Sequence, residues 1–422
     1  MSATVQLPLR ALIECSQCHK SVTVKLCTDC MEAAYCSVEC QRKDWPQHKP
    51  GCKRTEYIDV STLYPFLALL AALAHSHPMK PLHPATTRRI FNDPNPGVPA
   101  QVFPDNTAAK LIILGKEIPE IPLQERSSSP SWWPSAHTPF VRSKLFRRLT
   151  FQGYGLPIAT SICLAILAQI YTSVPAEGGR KMRLRYHGTP IADFGIAWGA
   201  ADVKCQDTFA FFDEENGVFW KGDDPNDHYW IWFKTVKGEE VILDVSMYQF
   251  NMCLMVQMQP YNESCPLLEL APAFWRDRVI NRNTPSLHTE RQRLSVLHNT
   301  ELHAVVTFGR NTLRPQDAQA IWNFMSQISS EPMPEIERQM AVIWTVSNCI
   351  QMKAMLEAQA WKRYPPTPTL ALDLDPGERG GDDEPAEEWT KFLKKWKKLK
   401  KRGGTAESIA DAFKRWQQKV AA

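Results

Sequence analysis

No apolar run in this 422-residue sequence is long enough to cross a bilayer. The best candidates, Leu63–Ala74 and Ile162–Val174, are about a dozen residues each and carry Pro65 and Gln169, whereas a span needs roughly 20. Both read as buried helices. Net charge is also small. Lys and Arg total 49 against 45 Asp and Glu, a formal +4, so bulk charge singles out no class of partner. There is no internal repeat, which excludes a solenoid or propeller. No secretory signal opens the chain, so the expectation is a reducing compartment, cytosol or nucleus, where a disulfide framework does not persist. What remains is ordinary globular material: 44% hydrophobic, 22% charged, and long enough for two or three domains.

Cysteine is where the sequence departs from the ordinary. Seven of its 12 cysteines fall between Cys15 and Cys52 and, with His48, make four close pairs: Cys15-x2-Cys18, Cys27-x2-Cys30, Cys36-x3-Cys40 and His48-x3-Cys52. Cysteines two or three residues apart share one tight turn or helix face and can reach a single ion. Four such pairs supply eight ligands, enough for two tetrahedral Zn²⁺ sites. Two Zn²⁺ add four charges and seven thiolates remove seven, leaving about +1. Ser37 is a good N-cap, so Ser37–Trp45 should form a short helix with Cys36 and Cys40 on one face. Pro46 should end or bend it. Trp45 is either part of a small core or part of a peptide groove. Fewer than forty residues cannot bury enough apolar surface to fold without metal.

This stretch resembles the MYND zinc finger at Cys15, Cys18, Cys27, Cys30, Tyr35-Cys36-Ser37, Cys40-Gln41, Asp44-Trp45, His48-Lys49 and Cys52. The resemblance implies interleaved ligands, with Cys15, Cys18, Cys36 and Cys40 on one zinc and Cys27, Cys30, His48 and Cys52 on the other. It also implies binding of short proline-containing peptides of partner proteins, often in transcriptional regulation. The finger would occupy residues 10–56.

Residues 57–365 should form an α+β domain. A helix is expected over Ser61–Ala74, stopped by His75-Ser76-His77-Pro78. His75, His77 and His83 sit among prolines and read as loop residues rather than a metal site. Residues 92–106 and 118–140 read as loops around a strand at Ala109–Gly115, with Trp132-Trp133 anchoring a loop on the core. A helix over Ser161–Thr172 would turn Cys163, Leu167, Ile170 and Val174 to one apolar face. Strands should follow at Lys181–Tyr186, Ile191–Trp198 and Thr208–Phe212, then a hairpin of His228–Lys234 and Glu240–Val245. Residues 260–300 look irregular, and Arg314–Ile328 and Pro332–Trp361 read as helices. Cys163, Cys205, Cys253, Cys265 and Cys349 lack metal-type spacing and read as core thiols.

Residues 366–422 form the expected tail. Asp373–Glu388 is acidic and reads as disordered. Trp389–Arg402 should be a basic helix whose stripe of Trp389, Phe392, Leu393, Trp396 and Leu399 docks on the body. The helix also suits a nuclear import signal, or a membrane, nucleic-acid or calmodulin-like partner. A last helix is expected over Ala406–Val420.

A second constellation carries chemistry. Cys163 opening a helix, His228 opening a strand and Asp244 closing the next resemble the core of papain-like transferases, such as transglutaminases and arylamine N-acetyltransferases. The resemblance implies Cys163 as nucleophile, His228 as base and Asp244 as its orienting group. The hairpin loop decides the geometry. A two-residue turn at Lys237-Gly238 puts Asp244 on the face away from His228. A five-residue loop, Thr235–Glu239, puts Asp244 opposite Trp230 and makes His228 a same-face neighbour. The apolar neighbours Leu167 and Ile170 argue for Cys163 as core filler. MYND fingers also occur within SET-domain methyltransferases, but the Asn-His-x-Cys motif of that family is missing here. The expectation is therefore a zinc-binding interaction protein rather than an enzyme, nuclear or cytoplasmic, with proline-containing peptides as partners. Only the basic tail speaks for nucleic acid.

Overall fold

Ser37 caps the first helix, α1 (Val38–His48), by accepting the Cys40 N–H at 3.2 Å. Pro46 lies inside α1 and the helix runs on to His48, so Pro46 does not end it. In this computed structural model the described residues are 3–52, 55–173, 181–202, 208–262, 268–307, 313–374 and 384–420. Beside α1, Lys25–Leu26 pairs antiparallel with Ala34–Tyr35. Val24, Ala33, Ala34 and Tyr35 bury together with Cys15, Cys27, Cys30 and Cys52 in a core of their own. The Tyr57 hydroxyl donates to the Cys30 carbonyl. Glu32 lies 3.1 Å from Arg183 and 3.7 Å from Lys181. These contacts tie the finger to the rest of the chain.

Strand β1 (Thr55–Asp59) leads into helix α2 (Val60–His75), which Asp59 caps through the Ser61 N–H. Strand β2 (Ala108–Glu117) precedes helices α3 (Pro139–Thr150) and α4 (Gly155–Ile170). Helix α4 starts six residues before the sequence-based expectation. Gly153 and Tyr154, both in the left-handed region at φ 76° and 66°, turn the chain into it. Pro157 sits in the first turn, where its missing N–H costs nothing. Cys163 is thus mid-helix, not at the helix N-terminus.

The strands β3 (Lys181–Tyr186), β4 (Thr189–Ala201), β5 (Phe209–Asp213), β6 (His228–Thr235) and β7 (Glu240–Asp244) match the expected runs closely. Residues 260–300 are not irregular throughout. They hold β8 (Phe274–Arg276), a short helix at Arg278–Asn283 and the eight-residue strand β9 (His288–Ser295). The main sheet runs β8-β7-β6-β4-β3-β1, and β9 joins the edge of β4 beyond β3. Gly195 and Gly199 allow that approach: a Cβ there would meet the Leu294 and Thr289 carbonyl oxygens at 1.9 and 2.1 Å. A smaller sheet is built on the parallel pair β2 and β5. Its core includes Trp132 and Trp133, with the Trp132 Nε1–H donating to the Ala85 carbonyl at 2.8 Å. The loop anchor is seen as expected.

Alternation along β6 and β7 divides the main sheet into two faces. Ile231, Phe233, Phe194, Ile196, Val241 and Leu243 pack on α2 and α4. Trp230 and Trp232 pack with Ala197 and Ile242 on the other face. Helices α5 (Pro315–Ser326) and α6 (Glu335–Glu357) cover α4, and Asn348 donates to Ser161 at 2.9 Å. No single helix among the described residues is long and apolar enough to cross a membrane. The architecture is α+β, with a small Cys-rich finger at one end of the sequence.

The tail differs from expectation. Leu370–Leu372 pairs with Leu254–Val256, and Asp373 accepts from Arg147 at 2.8 Å and from Tyr248, so the acidic stretch begins in ordered structure. Residues 375–383 lie outside the described residues. Helices α7 (Glu384–Lys401) and α8 (Ile409–Val420) pack on one another. Leu393 and Trp396 bury against Ala412, with Phe392, Ile409 and Trp416 at the margin. Within the stripe, Phe392, Leu393 and Trp396 pack on the last helix, while Leu399 stays exposed. Of the scattered cysteines, Cys163 and Cys253 are buried and Cys349 is half-buried, while Cys205 and Cys265 lie outside the described residues.

Candidate functional site: two thiolate centres and a buried histidine pair

Two groups of four donors converge in the finger. Cys15, Cys18, Cys36 and Cys40 form one, and Cys27, Cys30, His48 and Cys52 the other. The first group takes Cys15 and Cys18 from one turn and Cys36 and Cys40 from the start of α1. The second takes Cys27 and Cys30 from the next turn and His48 and Cys52 from the far end of α1. Zinc with bonds of 2.3 Å to sulfur needs sulfurs about 3.8 Å apart in a tetrahedron. Cys18 and Cys36 lie 3.7 Å apart, Cys36 and Cys40 3.5 Å, and Cys27 and Cys52 3.9 Å. Cys30 Sγ is 3.3 Å from His48 Nε2, and the corresponding tetrahedral edge is about 3.5 Å. The residues fit two zinc ions.

The electrostatics agree. Burial opposes ionisation of Cys15, but the backbone N–H groups of Cys18, Cys36 and Gln17 outweigh it and bring the thiol down to about 6. Cys36, hydrogen-bonded to Cys40, Cys18 and Cys15, is pushed up to about 12. Cys30 also rises to about 12, from burial and the neighbouring Cys27 and Cys52 sulfurs. Thiolates this close cannot all ionise beside one another without a cation, and a divalent ion is what permits it.

Residues 15–52 match the family model of the MYND finger. This segment is a MYND finger. A 40-residue stretch of the chain is 52% identical to "SET domain-containing protein 14" of Caenorhabditis elegans, covering 9% of each protein. The chain therefore spans only a small part of that relative's length. No solved structure matches the chain.

The MYND finger leaves one aromatic side chain outside. Trp45 is 36% exposed and leans on the His48 ring at 5.9 Å, so it is not part of a small core. Gln41, one turn earlier on the same helix face, donates to Cys27 Sγ at 3.9 Å. Tyr35 is held inward by its bond to Asp44 at 2.5 Å.

The second constellation divides. In the hairpin, Lys234 pairs with Glu240 and Ile231 with Leu243, the register of the five-residue loop. His228 Nε2 meets Asp244 Oδ2 at 2.6 Å. Cys163 is not brought to them. It packs on the α4 face of the sheet, 4.0 Å from the Gly195 carbonyl. His228 pairs with Gly199, four residues further along β4, about 13 Å of strand, and faces the other way. Burial pushes the Cys163 thiol far up, with no neighbouring charge to offset it. A third residue, absent from the sequence reading, joins His228 and Asp244. His288 Nε2 also reaches Asp244 Oδ2, at 2.8 Å. Its strand reads His-Thr-Glu-Arg-Gln-Arg-Leu-Ser, too polar to show a strand period. The histidines His75, His77 and His83 do not converge. His77 and His83 instead accept the Met79 and Ala85 N–H groups in local turns.

Proposed function

We propose that this protein is an adaptor whose MYND finger captures proline-containing peptides of partner proteins. A MYND finger is a zinc-dependent protein-interaction module, and the finer assignment rests on one observation: Trp45 stays exposed on a helix that zinc holds rigid. An exposed indole on a fixed element offers a flat apolar face to a proline ring at little entropic cost. Gln41 beside it supplies an amide for the peptide backbone. The body, residues 57–365, and the tail then serve to carry and position the finger, in the nucleus or the cytoplasm. A cysteine transferase reading finds no support in the position of Cys163. The methyltransferase reading has none beyond the finger itself, since the sequence lacks an Asn-His-x-Cys motif.

The test is titration of a proline-rich peptide library against the full chain, followed by Trp45→Ala and Gln41→Ala in the best case. Trp45→Ala should weaken binding about 10-fold or more, as loss of a buried aromatic anchor does, with the zinc content unchanged. Absence of any binding peptide, or binding indifferent to Trp45→Ala, refutes the assignment.

A further inference from the structure

His228 opens β6, Asp244 closes β7 and His288 opens β9. All three sit at one end of the main sheet, on the face turned away from α4. Their side chains are 2%, 0% and 1% exposed. Both histidines aim the same nitrogen, Nε2, at the same oxygen, Asp244 Oδ2, and the three atoms lie within 4.8 Å of one another. The other carboxylate oxygen, Oδ1, accepts the Ser246 N–H at 2.9 Å. That bond fixes the carboxylate plane, as an outer partner of a metal ligand does. The rings are set by aromatic packing: His228 against Phe250 and Trp230, His288 against Trp230 and Phe274. His288 Nδ1 is buried with no hydrogen-bond partner, so the polar interaction of that ring is directed at one point.

We propose that His228, Asp244 and His288 bind one divalent first-row transition ion, of the zinc and iron class, as a third metal site outside the finger.

The donor set chooses the class. Two imidazole nitrogens and one carboxylate oxygen suit zinc or iron(II). Calcium and magnesium prefer oxygen alone, and copper(I) prefers sulfur. The charge fits as well: the fully buried Asp244 carboxylate is met by two imidazoles and the Ser246 N–H, and a divalent ion supplies the positive charge that neutral imidazoles lack. Bonds of 2.0–2.2 Å require N···O edges of about 3.4 Å, so the rings must move outward by roughly 0.6–0.8 Å to admit the ion. With three protein ligands the ion keeps an open position for water, unlike the closed four-ligand centres of the finger.

Full-length protein is incubated with excess Zn²⁺, or with Fe²⁺ under anaerobic conditions, then desalted and its metals counted by mass spectrometry. Three equivalents are expected, two of them from the finger. Asp244→Asn should lose one equivalent and retain the other two. Cobalt(II) added to protein holding two zinc equivalents, those of the finger, gives a readout that needs no variant. A third equivalent should bring visible d–d bands without the near-ultraviolet thiolate-to-cobalt transitions of a cysteine site. Two equivalents with every metal tried, and no cobalt signal beyond the thiolate sites, would overturn the proposal and leave the trio a hydrogen-bonded network only.

Discussion

Replacing Cys40 with serine removes one of the four thiolates of the first zinc centre, and the consequence can be scaled from the structure. The fully buried non-ligand residues of the finger are Val24, Ala33, Ala34 and Tyr35, with Leu9, Leu12 and Leu26 partly buried against them. Burying these side chains supplies about 8 kcal/mol, too little to fold a unit of this size without metal. Zinc, contributing on the order of 10–16 kcal/mol in small finger peptides, decides whether this unit folds. Cys40→Ser should therefore unfold the finger and lower zinc content. The body has its own core on α2, α4 and α6 and loses only its ties to the finger. The Tyr57 hydrogen bond to Cys30 is worth about 0.5–1.5 kcal/mol. Arg183, whose side chain is 4% exposed, loses Glu32, which is 19% exposed. Breaking a fully buried pair costs about 3–5 kcal/mol, and partial solvent access at Glu32 lowers this to roughly 1–3 kcal/mol. Together these are about 2–4 kcal/mol, a drop of roughly 4–8 °C at about 2 °C per kcal/mol for a body of this size. Scanning calorimetry, zinc analysis and limited proteolysis of the full chain test all three points. Cleavage should concentrate within residues 15–52. Undiminished zinc, or a body transition lower by tens of degrees, refutes the reasoning.

Two further outcomes follow from burial. Cys163 should show no fast, pH-dependent labelling by iodoacetamide near neutral pH, because burial holds its thiol protonated; peptide mass spectrometry reads the site, and rapid labelling lost in His228→Ala would reverse the reading. Glu337, in the first turn of α6, is raised to about 7 by burial and by the nearby Asp223 and Asp227. A carboxyl raised in the folded state is protonated there while the unfolded chain has already ionised, so its contribution to stability falls as pH rises from about 4.5 to 7. Glu337→Gln should accordingly raise Tm at pH 8 and have little effect at pH 4, and equal shifts at both would disprove it.

The finger was legible because ligand chemistry imposes spacing. Eight donors in four pairs leave few alternatives, and the interleaved grouping implied by the resemblance is the one seen. Of the two effects expected of Pro46, ending the helix is not seen. A proline removes one hydrogen bond from a helix, but α1 is tied at both ends by zinc ligands, Cys36 and Cys40 before it and His48 and Cys52 after it, and that constraint outweighs the missing bond. In the body, aromatic and β-branched runs marked β6 and β7 well. Strand β9 was invisible because Glu290, Arg291 and Arg293 face solvent or ion pairs, as Arg293 does with Glu240 and Glu290; its place depends on Gly195 and Gly199 a hundred residues away. The start of α4 was missed because the signal for it is a backbone turn at Gly153 and Tyr154 rather than a capping side chain.

The separation of Cys163 from His228 was in fact contained in two local patterns. Helical spacing puts Cys163 on the face of Leu167 and Ile170, and that face can only be satisfied against an apolar sheet surface. The residues of β6 that supply such a surface are Ile231 and Phe233. Strand alternation then forces His228, Trp230 and Trp232 to the opposite side. The hairpin carries the same logic into β7. The Thr235 N–H bonds the Glu239 carbonyl at 2.8 Å and Gly238 takes φ 82°, closing the loop in the register that buries Leu243 with Ile231 and so brings Asp244 to His228. A slip of one residue would have exposed Leu243 and parted the pair. The register that buries the apolar face of the hairpin on α4 is thus the one that assembles the carboxylate and its histidines on the far side. It leaves the thiol behind for the same reason.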